Sequence, residues 1–247
     1  MKSYSWRAVA FGLAFAASTA IAQQGPVQIF GLVELSGTST TSGTNFDDGI
    51  KLAVKEINAG GGILSRKIEY TSLDTQSQPQ VAKALAQKAI DQGAYVVMGP
   101  VFSGSILVSM AETRRAEVPN FTGGEAAAIT QQGNPYIFRT SFTQTTAMPK
   151  VARYLKDTVK AKSVAIIWVN NDFGKGGLDT MRKALDVQGI KIAAEISTDP
   201  GQLDFSGAVL KAKQVNADAL FVYSNEEESA RGATRVAQAG LRQADRR

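Results

Sequence analysis

Runs of apolar residues alternate along the chain with segments whose apolar positions recur every three to four residues. Val27–Val33 is such a run, and after it Ile50, Val54 and Ile57 recur at the spacing of a helix face. The pair of elements repeats as far as Arg139, and the run Tyr95–Met98 lacks the polar alternation of a half-exposed strand. This pattern predicts a parallel, doubly wound α/β sheet. The predicted strands are Val27–Val33, Lys67–Leu73, Tyr95–Met98, Asn120–Thr122 and Tyr136–Arg139, and helices are predicted to begin near Asn45, Pro79, Ser103 and Ala126.

A polar stretch at residues 140–146 interrupts the alternation, which then restarts. Further strands are predicted at Ser163–Val169, Lys191–Ile196 and Ala219–Tyr223, and helices are predicted to begin near Pro149, Gly177 and Phe205, with a last one after Asn225. The predicted fold class is therefore α/β with two doubly wound parallel-sheet lobes. We assign a ligand-binding lobe to residues 23–140, a crossover hinge to 141–148 and a second lobe to 149–247. A cleft between two lobes is a preferred place for a small-molecule site.

The turn after the predicted strand Tyr95–Met98 is the first candidate site. Gly99-Pro100 ends that strand, and Ser103 opens the helix that follows. A helix start carries unpaired N–H groups and a partial positive charge, so this turn suits an anion such as a carboxylate. The alternative is that Ser103 is only a helix N-cap. The turn is not a phosphate-binding P-loop, because Ser105-Ile106 stands where Lys followed by Ser or Thr is required.

The loop Glu34–Thr44 is a second candidate, because it follows the first strand and is rich in hydroxyl groups. Such a loop either lines a ligand site or forms a solvated connection, and its place at a strand end favours the first interpretation. Ser36 is the ligand contact predicted in it.

The first 22 residues have the features of a secretory signal peptide. Lys2 and Arg7 accompany the apolar core Ala8–Ala17, and Ala20–Ala22 forms a small-x-small cleavage site. The apolar run is too short to span a bilayer. We therefore expect residues 1–22 to be removed and the mature protein, from Gln23, to be exported, which places it in the periplasm if the source is a Gram-negative bacterium. The alternative is a frayed N-terminal helix.

Composition excludes several kinds of site. The 247 residues include no His and no Cys, which excludes Ser-His-Asp and Cys-His nucleophiles, disulfides and zinc sites with His or Cys ligands. The net charge is +5, but the basic residues are spread over helices without interleaved aromatic residues, so no nucleic-acid partner is expected. We also expect no metal, no cofactor and no catalytic residue.

Several short motifs resemble one protein family. They are Ser36-Gly37, Gly49–Asn58 followed by Gly60–Ile63, Asp74, Gly99-Pro100 and Phe138-Arg139, in an order that extends over residues 26–241. The chain resembles the type I periplasmic solute-binding proteins of ABC transporters, and among them the branched-chain amino acid (Leu/Ile/Val) binding type. The resemblance implies a two-lobed clamp that closes on a small ligand by hinge motion and is then recognised by an ABC permease in the inner membrane. It implies a binding protein, not an enzyme.

The resemblance also implies the ligand contacts. In the family, the turn after the third strand holds the ligand carboxylate and the turn after the fourth adds backbone and hydroxyl contacts. The second lobe adds an aromatic residue and a loop. The corresponding positions here are Phe102, Ser103 and Gly104; Gly123, Gly124 and Glu125; Phe173; and Asn225 and Glu226. Together with Ser36, these residues form the predicted ligand site.

Some positions depart from the family members that bind amino acids. Those members show Thr near Glu125, Tyr near Phe173 and near Asn225, and an Asp near the crossover, where Gln144 stands here. The missing Asp would face an α-ammonium group, so its absence leaves three ligand classes open. Either Glu125 takes its role, through a charge-assisted contact of about 1.5–3 kcal/mol, or the ligand is a carboxylate without an amine, or a small amide.

Other interpretations of these residues are also open. The alternatives to a transport receptor are a sensory ligand-binding domain of the same fold and a secreted hydrolase that uses Ser103. Glu226–Glu228 is either part of the site or a favourable acidic first turn of the last helix, and Phe173 either closes the cleft or only packs its loop. The motifs end near Leu241, short of the family's usual length. The second lobe and the completion of the first are therefore expected to be partly missing, with unpaired edges that favour aggregation.

Overall fold

Parallel strands organise residues 25–239, the part of the chain that this computed structural model describes. The predicted signal peptide at residues 1–22 and the polar ending at 242–247 lie outside the described residues. The strands of the first sheet are β1 (Val27–Val33), β2 (Ile68–Asp74), β3 (Val96–Met98), β4 (Asn120–Thr122) and β5 (Ile137–Arg139). They pair in parallel in the order β2-β1-β3-β4-β5. The connecting helices are α1 (Thr40–Ala59), α2 (Pro79–Asp91) and α3 (Ser103–Arg115), with a short 3₁₀ helix at Ala127–Ile129.

A second parallel sheet follows in the same alternating order. Its strands are β6 (Ser163–Val169), β7 (Lys191–Thr198) and β8 (Ala219–Tyr223), which pair in the order β7-β6-β8. Its helices are α4 (Gln144–Asp157), α5 (Asp172–Val187), α6 (Ser206–Gln214) and α7 (Glu226–Gln238). The predicted α/β class with parallel sheets is confirmed.

Packing on both faces of the sheet explains the continuous apolar runs. Along β6, Val164 and Ile166 pack in one cluster with residues of α4 and α5, whereas Ala165 and Ile167 pack in another with residues of α6 and α7. All four side chains are at most 1% exposed. Burial of each such valine or isoleucine stabilises the fold by about 1.5–3 kcal/mol, so this central strand holds the second lobe together.

Three helices begin earlier than the sequence predicted. Their first residues are Thr40 for α1, Gln144 for α4 and Asp172 for α5. The added turns consist largely of polar residues and glycine, so no apolar periodicity marks them. Caps define two of the starts, because the side chains of Thr143 and Asn171 each accept a hydrogen bond from a first-turn N–H. As a result, residues 144–148 of the expected hinge are helical, and Phe173 lies on a helix rather than in a loop.

The strand that precedes the first candidate site is shorter than predicted. Tyr95 lies outside β3 and is 65% exposed, so it is not part of a buried strand. Its N–H still joins the sheet by donating to the Gln28 carbonyl at 2.9 Å. Within β3, Val97 is fully buried between β1 and β4. The short strand therefore leads from the middle of the sheet directly into the candidate turn.

A buried carboxyl group holds that turn in place. Glu34, directly after β1, is 0% exposed, and its two oxygens accept hydrogen bonds from the N–H groups of Val101 at 3.2 Å and Phe102 at 3.1 Å. Burial raises the pKa of Glu34 to about 7, although these N–H groups lower it; the charge of Asp74 raises it further. The side chain thus ties the end of β1 to the turn after β3.

Two glycines of α1 provide a test of how closely this helix packs on the end of β1. An added Cβ at Gly43 would lie 2.2 Å from the Glu34 carbonyl oxygen, whereas at Gly49 it would meet nothing within 4 Å. We expect Gly43→Ala to destabilise the protein by about 1–3 kcal/mol and Gly49→Ala to stabilise it by about 0.5–1 kcal/mol. Urea unfolding curves of both variants measure this. Equal effects would show that α1 does not press on the end of β1.

The burial of Glu34 also predicts a pH dependence of stability. The carboxyl titrates near 4.5 when unfolded and near 7 when folded, so the folded protein binds the extra proton between these values. Stability from this group is therefore present at low pH and is lost as the pH rises towards 7. Between pH 5 and pH 8 we expect the free energy of unfolding of wild type to fall by roughly 2–3 kcal/mol relative to Glu34→Gln. Parallel pH dependences for the two proteins in urea titrations would contradict the assignment.

Candidate functional site

A cleft of about 490 Å³ lies between residues of the two sheets. Much of its lining comes from the segments that directly follow β3, β4, β6 and β8, as expected for ligand sites at the carboxyl ends of parallel strands. Most of the predicted ligand contacts line this cleft: Phe102, Ser103, Gly123, Gly124, Glu125, Phe173, Asn225 and Glu226. The structure therefore brings together residues that are up to about 120 positions apart in the sequence.

Two predicted contacts do not line the cleft. The Ser36 hydroxyl donates to Asp74 Oδ2 at 2.7 Å and so joins the loop after β1 to the end of β2. Burial would raise the pKa of Asp74, but hydrogen bonds from Ser36 and from backbone N–H groups, including that of Gln76, hold it below its usual value. Gly104, in the first turn of α3, instead faces the second lobe, since an added Cβ would lie 3.2 Å from Asp172 Oδ2.

The start of α3 forms the wall contributed by the first lobe. Phe102 is the N-cap residue and no side chain caps the helix, so the interpretation of Ser103 as an N-cap is wrong. The Ser103 side chain is buried, and its hydroxyl accepts a hydrogen bond from the Ala126 N–H at 3.4 Å. Ser103 thus links the turns that follow β3 and β4. Gly124 packs closely there, because an added Cβ would lie 2.3 Å from Ile106 Cδ1.

A chain of hydrogen bonds connects the two lobes at the back of the cleft. The Tyr223 hydroxyl donates to Glu125 Oε2 at 3.1 Å and accepts from Gln144 Nε2 at 3.0 Å. The Phe173 ring stacks on the Tyr223 ring, with centroids 4.3 Å apart. Phe173 therefore packs against Tyr223 and also lines the cleft, so its role is not limited to local packing.

Burial and neighbouring groups set the protonation of this chain. Burial raises the pKa of Glu125, the hydrogen bond from Tyr223 lowers it, Glu226 raises it and Arg139 lowers it. The pKa of Tyr223 is raised by burial and by the nearby Glu125 carboxyl. Arg139 donates to the carbonyls of Gly124 and Ala126, so it supports the turn after β4.

The three glutamates at the start of α7 have different partners. Glu228 is buried and forms a capping box with Asn225, and it also accepts from the Gly201 N–H at 2.6 Å. Glu226 accepts from the Ser42 hydroxyl, and Glu227 accepts from the Thr41 N–H at 3.2 Å. Glu226 and Glu227 thus contact the first turn of α1 in the other lobe. This contact adds to the favourable interaction of acidic residues with the start of their own helix.

Sequence reasoning missed several aromatic residues of the cleft. Phe142, Phe221 and Tyr223 all line it. Tyr223 ends a strand that the sequence predicted correctly, so its position at the carboxyl edge of the sheet was a usable signal. A second signal is Gly177, where an added Cβ would lie 1.9 Å from Tyr223 Cε1. The missing side chain makes room for the tyrosine ring.

The chemical character of the cleft is mixed. Its lining includes the carboxyl groups of Glu125 and Glu226 and several aromatic rings and hydroxyl groups, but no Lys or Arg from residues 25–239. Over the same residues, no three acidic side chains cluster as metal ligands would. No helix in the described part of the chain has the length and apolar character needed to cross a membrane.

Comparisons with known proteins agree with this architecture. The Leu/Ile/Val-binding protein BraC3 of Rhizobium johnstonii is 29% identical over 191 residues, which are 77% of this chain and 52% of the relative. The leucine-specific-binding protein of Salmonella typhimurium is 29% identical over 203 residues, covering 82% and 51% of the two chains. This chain thus spans about half the length of the curated relatives it matches. Both relatives are named for the amino acids that they bind.

Solved structures show the same fold. The branched-chain amino acid transporter substrate-binding protein LivJ from Streptococcus pneumoniae, in complex with isoleucine, superposes with a TM-score of 0.82 at 27% identity, covering 88% of this chain and 62% of that one. A solute-binding protein of an ABC transporter from Rhodopseudomonas palustris, in complex with 3,4-dihydroxybenzoic acid, has a TM-score of 0.80 at 25% identity, covering 87% and 59%.

A family model described as periplasmic binding protein matches residues 26–245, nearly the whole chain. The order of the elements, the two parallel sheets and the cleft agree with that match. The chain therefore belongs to the periplasmic binding protein family.

Proposed function

We propose that this protein is an extracytoplasmic receptor that binds an amino acid, or a related small carboxylate or amide, and delivers it to an ABC importer in the inner membrane. The observation that carries the proposal is the cleft itself. Its volume of about 490 Å³ is typical of small-molecule sites, and most of the contacts predicted from the family line it. Residence in the periplasm after removal of residues 1–22 belongs to the same proposal.

The first-lobe wall suits the carboxylate of such a ligand. The first N–H groups of α3 have no partner within the helix, and the helix start carries partial positive charge. Ser103 and the glycines Gly123 and Gly124 lie beside it, so a ligand can approach the backbone closely. A carboxylate bound here would need no lysine or arginine.

The second-lobe wall suits the apolar part of the ligand. Phe173 and Tyr223 stack on each other, and Phe221 lies beside Tyr223 with ring centroids 5.9 Å apart. The relatives in the comparisons support this division, since isoleucine combines a carboxylate with an aliphatic side chain and 3,4-dihydroxybenzoic acid combines one with an aromatic ring. The glutamate contacts from α7 to α1 support closure of the lobes around the ligand.

A hydrolase that uses Ser103 is not favoured. The Ser103 side chain is buried, its hydroxyl accepts from the Ala126 N–H, and the chain contains no His to act as its base. A general base within hydrogen-bond reach is what such a nucleophile needs.

Calorimetry tests the proposal directly. The chain from residue 23 is titrated with leucine, isoleucine, valine, phenylalanine, 4-hydroxybenzoate and small aliphatic amides. We expect one-to-one binding of at least one compound with a Kd in the micromolar range, about −8 kcal/mol. A folded chain that binds none of them below about 1 mM would sink the proposal.

Ser103→Ala tests the anchoring wall. We expect it to weaken ligand binding by at least about 1 kcal/mol, or roughly fivefold in Kd. The matched control is Ser109→Ala, since Ser109 is buried on the same helix, donates to the Ile106 carbonyl and does not line the cleft. The control variant should bind as wild type does. If Ser103→Ala also does, Ser103 only links the two turns.

A further inference from the structure

Gln144 occupies an unusual position between the lobes. It is the first residue of α4, is 0% exposed and was expected from the sequence to mark only the loss of an acidic ligand contact. Its backbone N–H donates to the Glu125 carbonyl at 3.1 Å. Its side-chain nitrogen Nε2 donates to the Phe173 carbonyl at 2.7 Å and to the Tyr223 hydroxyl at 3.0 Å. Gln144 therefore forms hydrogen bonds to three residues that line the cleft: Glu125, Phe173 and Tyr223.

The Phe173 carbonyl fixes the orientation of the Gln144 amide. A carbonyl oxygen can only accept a hydrogen bond, so the atom that faces it must be the NH₂ group. The opposite orientation would place Gln144 Oε1 against that carbonyl. In this orientation Oε1 is buried without a hydrogen-bond partner and lies 2.6 Å from where a Cβ of Gly176 would be. Glycine at this position thus leaves room for the amide oxygen.

The orientation of the amide then determines which group donates in each hydrogen bond of the series Gln144–Tyr223–Glu125. Since the second N–H of Gln144 points at the Tyr223 oxygen, the phenol proton has to go elsewhere, and Glu125 Oε2 at 3.1 Å is its acceptor. A protonated Glu125 that donated from Oε2 would leave the phenol proton without an acceptor among residues 25–239. Glu125 Oε1 has no hydrogen bond to any of these residues. Burial raises the pKa of Glu125, but the hydrogen bond donated by Tyr223 to Oε2 lowers it and so favours the ionised carboxyl, in which Oε1 is an acceptor for the cleft.

We infer that Gln144 is a positioning residue for ligand specificity: it orients Tyr223 so that Glu125 stays a hydrogen-bond acceptor, and the cleft thereby selects ligands that carry an ammonium group over the same carboxylates without one. This inference rests on the proposed function and narrows its ligand class. The surroundings agree, because Glu226 is the other carboxyl group of the lining and no Lys or Arg of the described residues lines the cleft. An ammonium group would find two acidic partners there, whereas a second carboxylate would be repelled.

The test compares ligands that differ only in the amine. The chain from residue 23 is titrated by calorimetry with leucine and 4-methylpentanoate, and with phenylalanine and 3-phenylpropanoate. For wild type we expect the amino acid of at least one pair to bind at least about tenfold more tightly than its partner, a difference of about 1.4 kcal/mol.

Two variants then interrupt this series of hydrogen bonds at different points. Gln144→Met keeps the length of the side chain but removes both donated hydrogen bonds, and Tyr223→Phe keeps the stacked ring but removes the hydroxyl group. We expect each to reduce the preference for the amino acid by roughly fivefold or more, mainly by weakening binding of the amino acid. Phe142→Leu is the control, since Phe142 lines the cleft outside this chain, and it should change both affinities of a pair to a similar extent.

The ratio of the two affinities separates a positioning role from a structural one. A purely structural role of Gln144 would weaken both ligands of a pair equally, and an unchanged ratio in both variants overturns the inference. If Gln144→Met does not give a cooperative thermal melt, Tyr223→Phe alone decides the outcome. Wild type that binds the ligand without the amine at least as tightly overturns the inference but leaves the proposed receptor function standing. Binding of neither member of either pair, nor of any other small carboxylate or amide, would remove both.

Discussion

The buried carboxyl group of Glu34 is the contact on which the first-lobe wall depends. It is paired with two N–H groups of the turn after β3, which lies 67 and 68 residues further along the chain. Those hydrogen bonds hold Val101 and Phe102 where α3 begins, so the helix start is aimed at the cleft by a side chain outside it. A buried carboxyl without such partners would be strongly unfavourable. The hydrogen bonds that position the first-lobe wall therefore also influence the protonation of Glu34.

Tyr223 plays the corresponding part in the second lobe. Its ring stacks on Phe173 and fits over Gly177, while its hydroxyl joins Gln144 to Glu125. Three elements of the second lobe and one turn of the first thus meet at a single phenol. A side chain at position 177 would collide with the ring, and replacing Gln144 or Glu125 would remove a hydrogen bond of the hydroxyl, so these four residues depend on one another.

The sequence predicts the sheets better than the helix starts, and the reason is local. The runs Val27–Val33, Ser163–Val169 and Ala219–Tyr223 coincide with observed strands because continuous apolar character bounded by polar residues is visible in any one segment. The first turns of α1, α4 and α5 are polar, so hydrophobic periodicity does not reveal them. Glu34 and Gln144 were not recognised as supports of the site because their partners come from distant parts of the chain.

The glutamate contacts from α7 to α1 have a consequence for a receptor of the proposed kind. Glu226 and Glu227 form hydrogen bonds to the other lobe that involve only protein groups, and each such bond stabilises the contact between the lobes by about 0.5–1.5 kcal/mol. A ligand can shift the balance between open and closed forms only by its differential affinity for the two. If the transporter recognises the closed form of the receptor, any ligand-free receptor in that form would be recognised as though it carried ligand. Glu227 and the Thr41 N–H lie outside the lining of the cleft, so they contribute to that background without altering what the cleft binds.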